Sequence, residues 1–322
     1  MSNVICEVKH IKKKYPLKDK SKHGKKVYMN AVDDLSLTLN EGETYGLVGE
    51  SGCGKSTTGR SIMGLVKPDS GEIIYNGQDI TKLNTAEFRK LRSDIQMVYQ
   101  DSLSSLNPRM RIGKSLEEPL IIHGIAQGVE AQEMAIAALK EVGLSEAHYF
   151  RFPHELSGGQ VQRIGIARAL ITNPKLVVCD EPVSALDVSI QSQILNGLKH
   201  LQASKKLTYL FISHDMGVVK YIAHTTGVMY LGDLVEEAST DELFANPLHP
   251  YTQALFESVP KLDEHKGVHS AIKGEQPVRT DDFKGCMFAS RCPHATDKCK
   301  EVAPEFKEIS PGHKCACHLV GQ

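Results

Sequence analysis

The sequence predicts an α/β fold with a largely parallel core sheet, on three observations. Short apolar strands alternate with helical stretches, from Thr44–Val48 through Leu176–Cys179 to Leu207–Ile212, the order that builds parallel sheets covered by helices. The run Leu176-Val-Val-Cys179 has no polar face, as in a strand buried on both sides. A Gly-rich loop at residues 49–56 lies between one such strand and the helix after it. Of the 322 residues, 41% are hydrophobic and 24% charged, which excludes disorder as the main state. Lys+Arg 38 against Asp+Glu 39 gives a formal net charge of -1, which argues against a nucleic-acid binder. No uncharged apolar run approaches the ~18–20 residues that cross a bilayer. The N-terminal stretch Met1–Lys9 is broken by charge and does not read as a signal peptide. The expectation is a soluble cytoplasmic protein, with docking on a membrane protein left open.

The elements follow in order. Leu35–Leu39 alternates at period two, and the lysine-rich stretch Lys12 to Lys26 before it reads as a solvated loop. Residues 55–65 read as a helix. Gly71–Gly77 reads as a strand ending in an Asn-Gly turn, and Ile95–Tyr99 as another strand. From 101 to 174 the pattern is mostly helical, with amphipathic segments at Ala131–Val142 and 158–171. After Leu176–Cys179 come a helix at 188–203, the strand Leu207–Ile212, a helix near 215–223 and strands near 226–237. Past Pro260 the periodicity fades and Gly, Pro, Cys and His take over. The expected division is a domain at 1–259, with a helical subdomain about 101–174, and an extension at 260–322.

Gly49-Glu-Ser-Gly-Cys-Gly-Lys55-Ser56 fits G-x-x-x-x-G-K-[ST] at every fixed position, after a strand and before a helix. Its glycines let backbone N–H groups turn in around phosphate oxygens, and the helix start favours anions. Lys55 is placed to reach the β- and γ-phosphates, and the Ser56 hydroxyl to take a place on Mg²⁺. Magnesium also needs a carboxylate. The apolar strand ending in Asp180 and Glu181, stopped by Pro182, supplies it. Alone, such a strand end is most often a solvated turn. Beside a phosphate loop, Asp180 reads as the Mg²⁺ holder, through water, and Glu181 as the general base. A third motif, Leu156-Ser157-Gly158-Gly159-Gln160, precedes a helix with Val161, Ile164, Ala167 and Ile171 at helical spacing. It is either a second anion cradle or merely a well-capped helix. Lacking a lysine and a neighbouring carboxylate, it performs no hydrolysis alone and reads as the completing half of another subunit's site.

With the phosphate loop before it and the Asp-Glu strand end after it, LSGGQ resembles the signature of ATP-binding-cassette (ABC) ATPases, over roughly residues 4–258. The resemblance implies a P-loop NTPase cassette: a RecA-like mixed core sheet, an antiparallel β subdomain and a helical subdomain, here with a small Cys-rich C-terminal extension. It also implies roles. ATP binding falls to Tyr15, as the adenine-stacking aromatic, and to Gly49, Glu50, Ser51, Gly52, Cys53, Gly54, Lys55, Ser56 and Thr57. Gln100 resembles the glutamine that touches Mg²⁺ or the attacking water, and with Ser56 and Asp180 it completes the Mg²⁺ set. His214 resembles the switch histidine on the γ-phosphate, so the catalytic group is Glu181, His214 and Gln100. Ser184, Ala185, Leu186 and Asp187 resemble the D-loop that packs across a dimer. In such ATPases ATP is held between one cassette's phosphate loop and the partner's signature, here Ser157, Gly158, Gly159 and Gln160.

One cassette without membrane helices implies separate membrane subunits, as in bacterial importers. Gly49–Lys55, Gln100–Arg109 and Asn246–Leu255 resemble the oligopeptide/dipeptide/nickel permease cassettes, and Ser-Leu-Asn-Pro-Arg the second of their two paralogous ATPases. The implied cofactors are ATP and Mg²⁺. The implied partners are a second, non-identical cassette, two integral-membrane permease subunits and, indirectly, an extracytoplasmic peptide-binding protein, with no nucleic acid. The implied place is the cytoplasmic face of the membrane. A homodimer, and nickel or another small solute, stay open as alternatives. Non-transport ABC ATPases usually carry coiled-coil inserts or two cassettes per chain, which this sequence lacks, and a P-loop kinase or GTPase would not need LSGGQ. Residues 101–125 are the implied docking segment, with Leu106 as a contact residue.

Cys286, Cys292, Cys299, Cys315 and Cys317 crowd into the tail, on a segment with little apolar periodicity. A segment that cannot build a core needs a staple. The thiols could hold zinc or an iron–sulfur cluster, or stay free or disulfide-linked. The spacing lacks the C-x₂-C knuckles of common zinc sites. Gly285–Pro293 and His313–His318 resemble the C-terminal motif of peptide-permease cassettes. That resemblance implies a [4Fe–4S] cluster on Cys286, Cys292, Cys299 and Cys317, with Cys315 as the competing fourth ligand and a structural role.

Overall fold

The computed structural model describes residues 3–20, 26–257 and 274–321. The first elements are β1 (Val4–Lys20), β2 (Lys26–Asn40), β3 (Thr44–Val48), α1 (Lys55–Ile62), β4 (Ser70–Tyr75) and β5 (Gln78–Asp79). The middle of the chain forms α2 (Thr85–Leu91), β6 (Ile95–Val98), α3 (Ile112–Ile122), α4 (Gly128–Glu141), α5 (Gly158–Leu170), β7 (Leu176–Asp180), α6 (Val188–Lys205) and β8 (Thr208–Ser213). Then come α7 (Met216–Ile222), β9 (Thr225–Tyr230), β10 (Asp233–Ser239), α8 (Thr240–Ala245), α9 (Pro250–Glu257), α10 (Asp297–Glu301), β11 (Lys307–Ser310) and β12 (His313–Cys315). The chain forms two compact units. The loop unit gathers residues 6–38, 44–81 and those from 212 on; the insert unit gathers 39–43, 82–211 and the first few residues. Among the described residues no helix is long and apolar enough to cross a membrane.

The loop unit holds an antiparallel sheet of order β2-β1-β4-β5, in which Cys6 faces Tyr75 and Val8 faces Ile73. It also holds a mixed sheet in which β11, β12, β10, β9 and β3 follow one another. β3 runs parallel to β9, and β10 antiparallel to it. Every residue of β3 is buried, as a strand covered on both faces requires. In the insert unit β6 and β7 pair in parallel, Ile95 opposite Leu176 and Val98 opposite Cys179. The helix α4 turns Ala131, Ala135, Ala138 and Leu139 inward, one stripe at helical spacing.

Two expectations need correction here. The stretch Lys12 to Lys26 is not a loop: β1 continues to Lys20 and β2 starts at Lys26, with 21–25 outside the described residues. Lys12, Lys13 and Lys14 are half-buried and meet carboxylates. Lys12 meets Asp33 and Lys13 meets Asp69, each at 2.9 Å, while Ile11 is buried. The tail was expected to lack a core of its own, and it borrows one. β12 pairs with β10, Cys315 opposite Glu236. The buried His313 reaches the buried Glu236 at 2.8 Å, and Glu236 also accepts the N–H groups of Leu248 and His249. Arg279, nearly buried, bridges Asp33 and Asp233 at 2.7 Å each. The expected boundary at 259/260 falls outside the described residues.

His249 gives the fold a pH dependence. It is buried, and its Nδ1 accepts the Tyr251 N–H at 3.0 Å, which fixes a neutral ring. Burial pushes its pKa down from 6.5 to about 4. The unfolded chain thus takes up this proton near pH 6.5 while the folded chain resists it until about pH 4. The associated stability is complete above the first value and is lost as pH falls toward the second, by about 3 kcal/mol in all. His249→Asn keeps an acceptor for the Tyr251 N–H and cannot titrate. It is expected to flatten the decline in unfolding free energy over this interval, measured by urea unfolding. An unchanged slope in the variant refutes the assignment.

Candidate nucleotide site

In the loop unit, β3 ends at Val48 and α1 begins at Lys55, so residues 49–54 form the turn between them. Gly54 sits at φ 110, and a Cβ there would lie 2.1 Å from the Ala31 carbonyl oxygen, so only glycine closes the turn. Gly54 is also the N-cap of α1 and makes no side-chain capping bond, and a helix start of this kind favours an anion. The Lys55 side chain is buried, with Nζ donating to the carbonyls of Gly49 at 2.7 Å and Glu50 at 2.9 Å. Carbonyls orient this ammonium without neutralising it, and buried charge calls for an opposite charge. A polyphosphate fits that cradle. Ser56 and Thr57 are half-buried on the first turn of α1. Burial raises the pKa of the Cys53 thiol, which keeps it protonated and unreactive. Ser51 and Gly52 are exposed at the loop tip.

His214 is exposed directly after β8, and Asp215 behind it caps α7 by accepting the N–H of Gly217 at 2.8 Å. The cap fixes the turn that presents the imidazole. Tyr15 lies half-buried on β1, with Lys13 Nζ 5.8 Å from its ring centre.

In the insert unit, β7 ends on the buried Asp180, and Glu181 follows at φ 47. A non-glycine residue in the left-handed region stores strain, and here the turn carries the carboxylate off the strand end. Gln100, exposed after β6, donates Nε2 to Glu181 Oε2 at 3.1 Å and lies 3.5 Å from Ser184 Oγ. The Ser184 hydroxyl donates to the Glu181 carbonyl at 3.2 Å. Sequence positions 100, 181 and 184 thus form one network. It can hold a water against a carboxylate base.

The signature motif caps α5. Ser157 Oγ accepts the Gln160 N–H at 3.4 Å, and Gln160 Oε1 accepts the Ser157 N–H at 3.0 Å, a reciprocal capping box. A Cβ on Gly159 would lie 2.7 Å from Ile190 Cγ2, and one on Gly158 3.9 Å from Leu186 Cδ2. The second glycine therefore lets α5 meet the start of α6, where the D-loop leads. Ala185 is exposed beside it. Asp187 caps α6 through the N–H of Ile190 at 3.0 Å and accepts the Ser189 hydroxyl, which holds its carboxyl below the usual range. Gln160 Nε2 also lies 3.3 Å from His148 Nε2, a contact the motif did not announce.

Two site expectations fail. Leu106 is 3% exposed and belongs to the core; the exposed leucine of its turn is Leu103, 53% exposed. The turn of Leu103–Leu106, closed by the Leu106 N–H on the Leu103 carbonyl, sends one leucine out and the other in. The iron–sulfur cluster is not supported either, nor is the zinc alternative. Among the described residues, no three or more His, Cys, Asp or Glu side chains are grouped to hold a metal ion. Cys286, Cys292, Cys299, Cys315 and Cys317 are all free. Burial pushes the Cys286 thiol up to about 11 and raises Cys292 and Cys317. The tail is stapled by packing instead. Phe288 is 2% exposed against Tyr230, Tyr251 and His249, and the Cys286 N–H bonds the Cys299 carbonyl at 2.7 Å.

Sequence reasoning also missed Tyr251 and Arg291, which both reach Glu50. The available signal was Glu50 itself: a carboxylate in a loop built for anions calls for a cation.

Comparison with known proteins agrees with this geometry. Residues 32–184 match the ABC transporter family model, and 235–299 the model for the C-terminal region of oligopeptide/dipeptide transporters. The oligopeptide transport ATP-binding protein AppF of Bacillus subtilis is 50% identical over 319 residues, 98% of this chain and 97% of the relative. The chain belongs to the ABC ATPases of the oligopeptide-transport type. OppF of Escherichia coli, also an oligopeptide transport ATP-binding protein, is 46% identical to this ABC ATPase over 325 residues, covering 98% and 96% of the two. Among solved structures, the ATP-binding cassette MJ0796, a dimer in a post-hydrolysis state bound to ADP and phosphate, superposes with a TM-score of 0.66. It is 30% identical and covers 73% of this chain and 99% of its own. The ABC cassette fold expected from the motifs is thus the fold of this ATPase.

Proposed function

We propose that this ABC ATPase hydrolyses MgATP to drive import of oligopeptides or dipeptides across the cytoplasmic membrane. The observation that carries the ATP site is the buried Lys55 ammonium, held by two carbonyls at the mouth of α1. Tyr15 and the loop Gly49 to Thr57 bind ATP, Glu50 through its backbone and not its carboxylate, with Lys55 on the β- and γ-phosphates. Ser56, Gln100 and Asp180 hold Mg²⁺, which when bound neutralises phosphate charge. Glu181 takes the proton of the attacking water, Gln100 orients that water and His214 faces the γ-phosphate. The signature Ser157–Gln160 serves the partner cassette's nucleotide, and Ser184–Asp187 packs across the dimer. We place the cassette at 1–259, its helical subdomain at about 101–174 and the extension at 260–322.

The partners in this reading are a second, paralogous cassette and two permease subunits, with a peptide-binding protein acting through them. The protein sits peripherally on the cytoplasmic face. The names of AppF and OppF support the peptide cargo. Ile121, Ile122 and Ile125, at and just past the end of α3, with Leu103 earlier in the same segment, are all exposed and support docking on a membrane subunit, since exposed apolar side chains can mark interaction surfaces. The test is ATPase and peptide uptake in vesicles carrying the permease pair and both cassettes. Ile122→Asp, at a position 65% exposed, is expected to keep MgATP binding and the fold of the isolated chain and to cut uptake at least about tenfold by burying an unpaired charge at the contact. Full uptake by this variant removes the docking claim. Uptake of a different solute and no peptide by the wild-type complex removes the cargo.

A further inference from the structure

Glu50 poses an electrostatic problem. As the second residue of the phosphate loop, its carboxylate opposes the polyphosphate that Lys55 and the helix start attract. The fold answers with three contacts on this residue. Its N–H donates to the Tyr251 hydroxyl at 2.8 Å. Its carbonyl accepts from Lys55 Nζ at 2.9 Å. Its carboxylate takes both arms of the Arg291 guanidinium, Nη1 on Oε2 at 2.6 Å and Nη2 on Oε1 at 2.9 Å. A two-armed guanidinium–carboxylate pair fixes direction as well as charge.

Arg291 is held in turn. Its side chain is 5% exposed. Nη1 also donates to the Tyr230 hydroxyl at 3.3 Å, and the guanidinium lies 5.8 Å from the Tyr230 ring centre. Its backbone N–H donates to the Phe288 carbonyl at 3.0 Å. Tyr251 and Phe288 pack on Tyr230 at centroid distances of 4.6 and 5.4 Å. Tyr251 and Arg291 both fall in the stretch 235–299 that matches the oligopeptide/dipeptide C-terminal region, and neither falls in the ABC match at 32–184. The tail, remote from the phosphate loop in sequence, lies against it in space.

We propose that Arg291, with Tyr251, is a positioning residue for MgATP: the C-terminal segment masks and fixes Glu50, and so sets the carbonyl that holds Lys55. Loss of the pair frees an anion at the phosphate site and loosens the lysine, which weakens binding of the nucleotide. This role rests on the reading of residues 49–56 as the phosphate cradle.

The test is the MgATP Kd of the full chain, measured by displacement of a fluorescent ATP analogue. Arg291→Gln is expected to raise the Kd about tenfold, with the loss narrowing at high salt because it is Coulombic. Adding Glu50→Gln to that variant is expected to restore the Kd to within about twofold of wild type, because the unmasked anion is gone. A merely structural arginine would leave the double variant as weak as the single one. Tyr251→Phe keeps the ring packing and loses only the acceptor for the Glu50 N–H, for an expected rise of about threefold. Arg291→Lys keeps the charge without the fork and falls between wild type and Arg291→Gln. Should Arg291→Gln fail to fold, the last two variants decide, and wild-type Kd in both overturns the role. A double variant no tighter than Arg291→Gln overturns it too. Lys55→Ala is the control: if it binds MgATP like wild type, the cradle reading itself falls.

Discussion

Replacing Glu181 by Gln is expected to lower ATP turnover about 10²–10³-fold while leaving MgATP binding near wild type, because only general-base action is removed. The geometry makes this substitution clean. The Glu181 side chain accepts the Gln100 amide at 3.1 Å through one oxygen, and the Gln amide oxygen can accept the same bond. The strained turn at φ 47 is a backbone property and stays. What goes is the carboxylate that takes a proton from water. With hydrolysis stalled and binding intact, the variant is expected to accumulate with its partner cassette as an ATP-held dimer, visible as a shift in size-exclusion chromatography on adding MgATP. Gln100→Ala is expected to cost less, about tenfold, since it removes orientation and leaves the base. Turnover of Glu181→Gln within a few-fold of wild type would assign the base elsewhere.

The parts of the site that were legible in the sequence are those whose chemistry is contiguous. Residues 49–56, 157–160 and 176–181 each form one turn or one strand end, and the geometry demands glycine, lysine or carboxylate at fixed spacing within it. Local spacing also places α4 and α5, through apolar stripes that the structure buries. It is weaker at ends: α1 stops at Ile62 rather than 65, where Gly64 takes φ 62 and ends the turn. It fails where partners are distant. Nothing near Lys12 announces that Asp33 and Asp69 will receive its neighbourhood's charge, so paired strands read as a loop. Nothing near residue 291 announces Glu50. The cysteines misled for a related reason. Their spacing is visible in sequence, while whether the fold groups their side chains is not, and among the described residues it does not. Leu103 and Leu106 differ in exposure by 53% against 3% within one turn, a distinction that composition alone does not carry.

The tail's role as part of the loop unit's core leads to the largest stability effect. Phe288→Ala is expected to destabilise the protein by about 3–5 kcal/mol, the usual cost of emptying a buried aromatic site. Phe288 is 2% exposed and meets Tyr230 edge-on at 5.4 Å, Tyr251 at 5.4 Å and His249 at 5.9 Å. Tyr230 is the last residue of β9, which pairs with β3, so the cavity would open beside the strand that leads into the phosphate loop. The tail of Val302, by contrast, is 51% exposed, and Val302→Ala is expected to change stability by no more than about 0.5 kcal/mol. The chain has no tryptophan and 10 tyrosines, so tyrosine fluorescence includes Tyr230 and Tyr251 among its reporters while circular dichroism follows the whole chain during urea unfolding. Because the Phe288 carbonyl also anchors the Arg291 N–H, the same variant is expected to weaken MgATP binding under conditions where it remains folded. Equal stability of Phe288→Ala and Val302→Ala would mean that the tail is an appendage after all. A large loss for the first and none for the second means that the tail is part of the folded core, and its Arg291 meets the phosphate loop's Glu50 across 241 positions of sequence, a coupling that acts through packed rings and one ion pair.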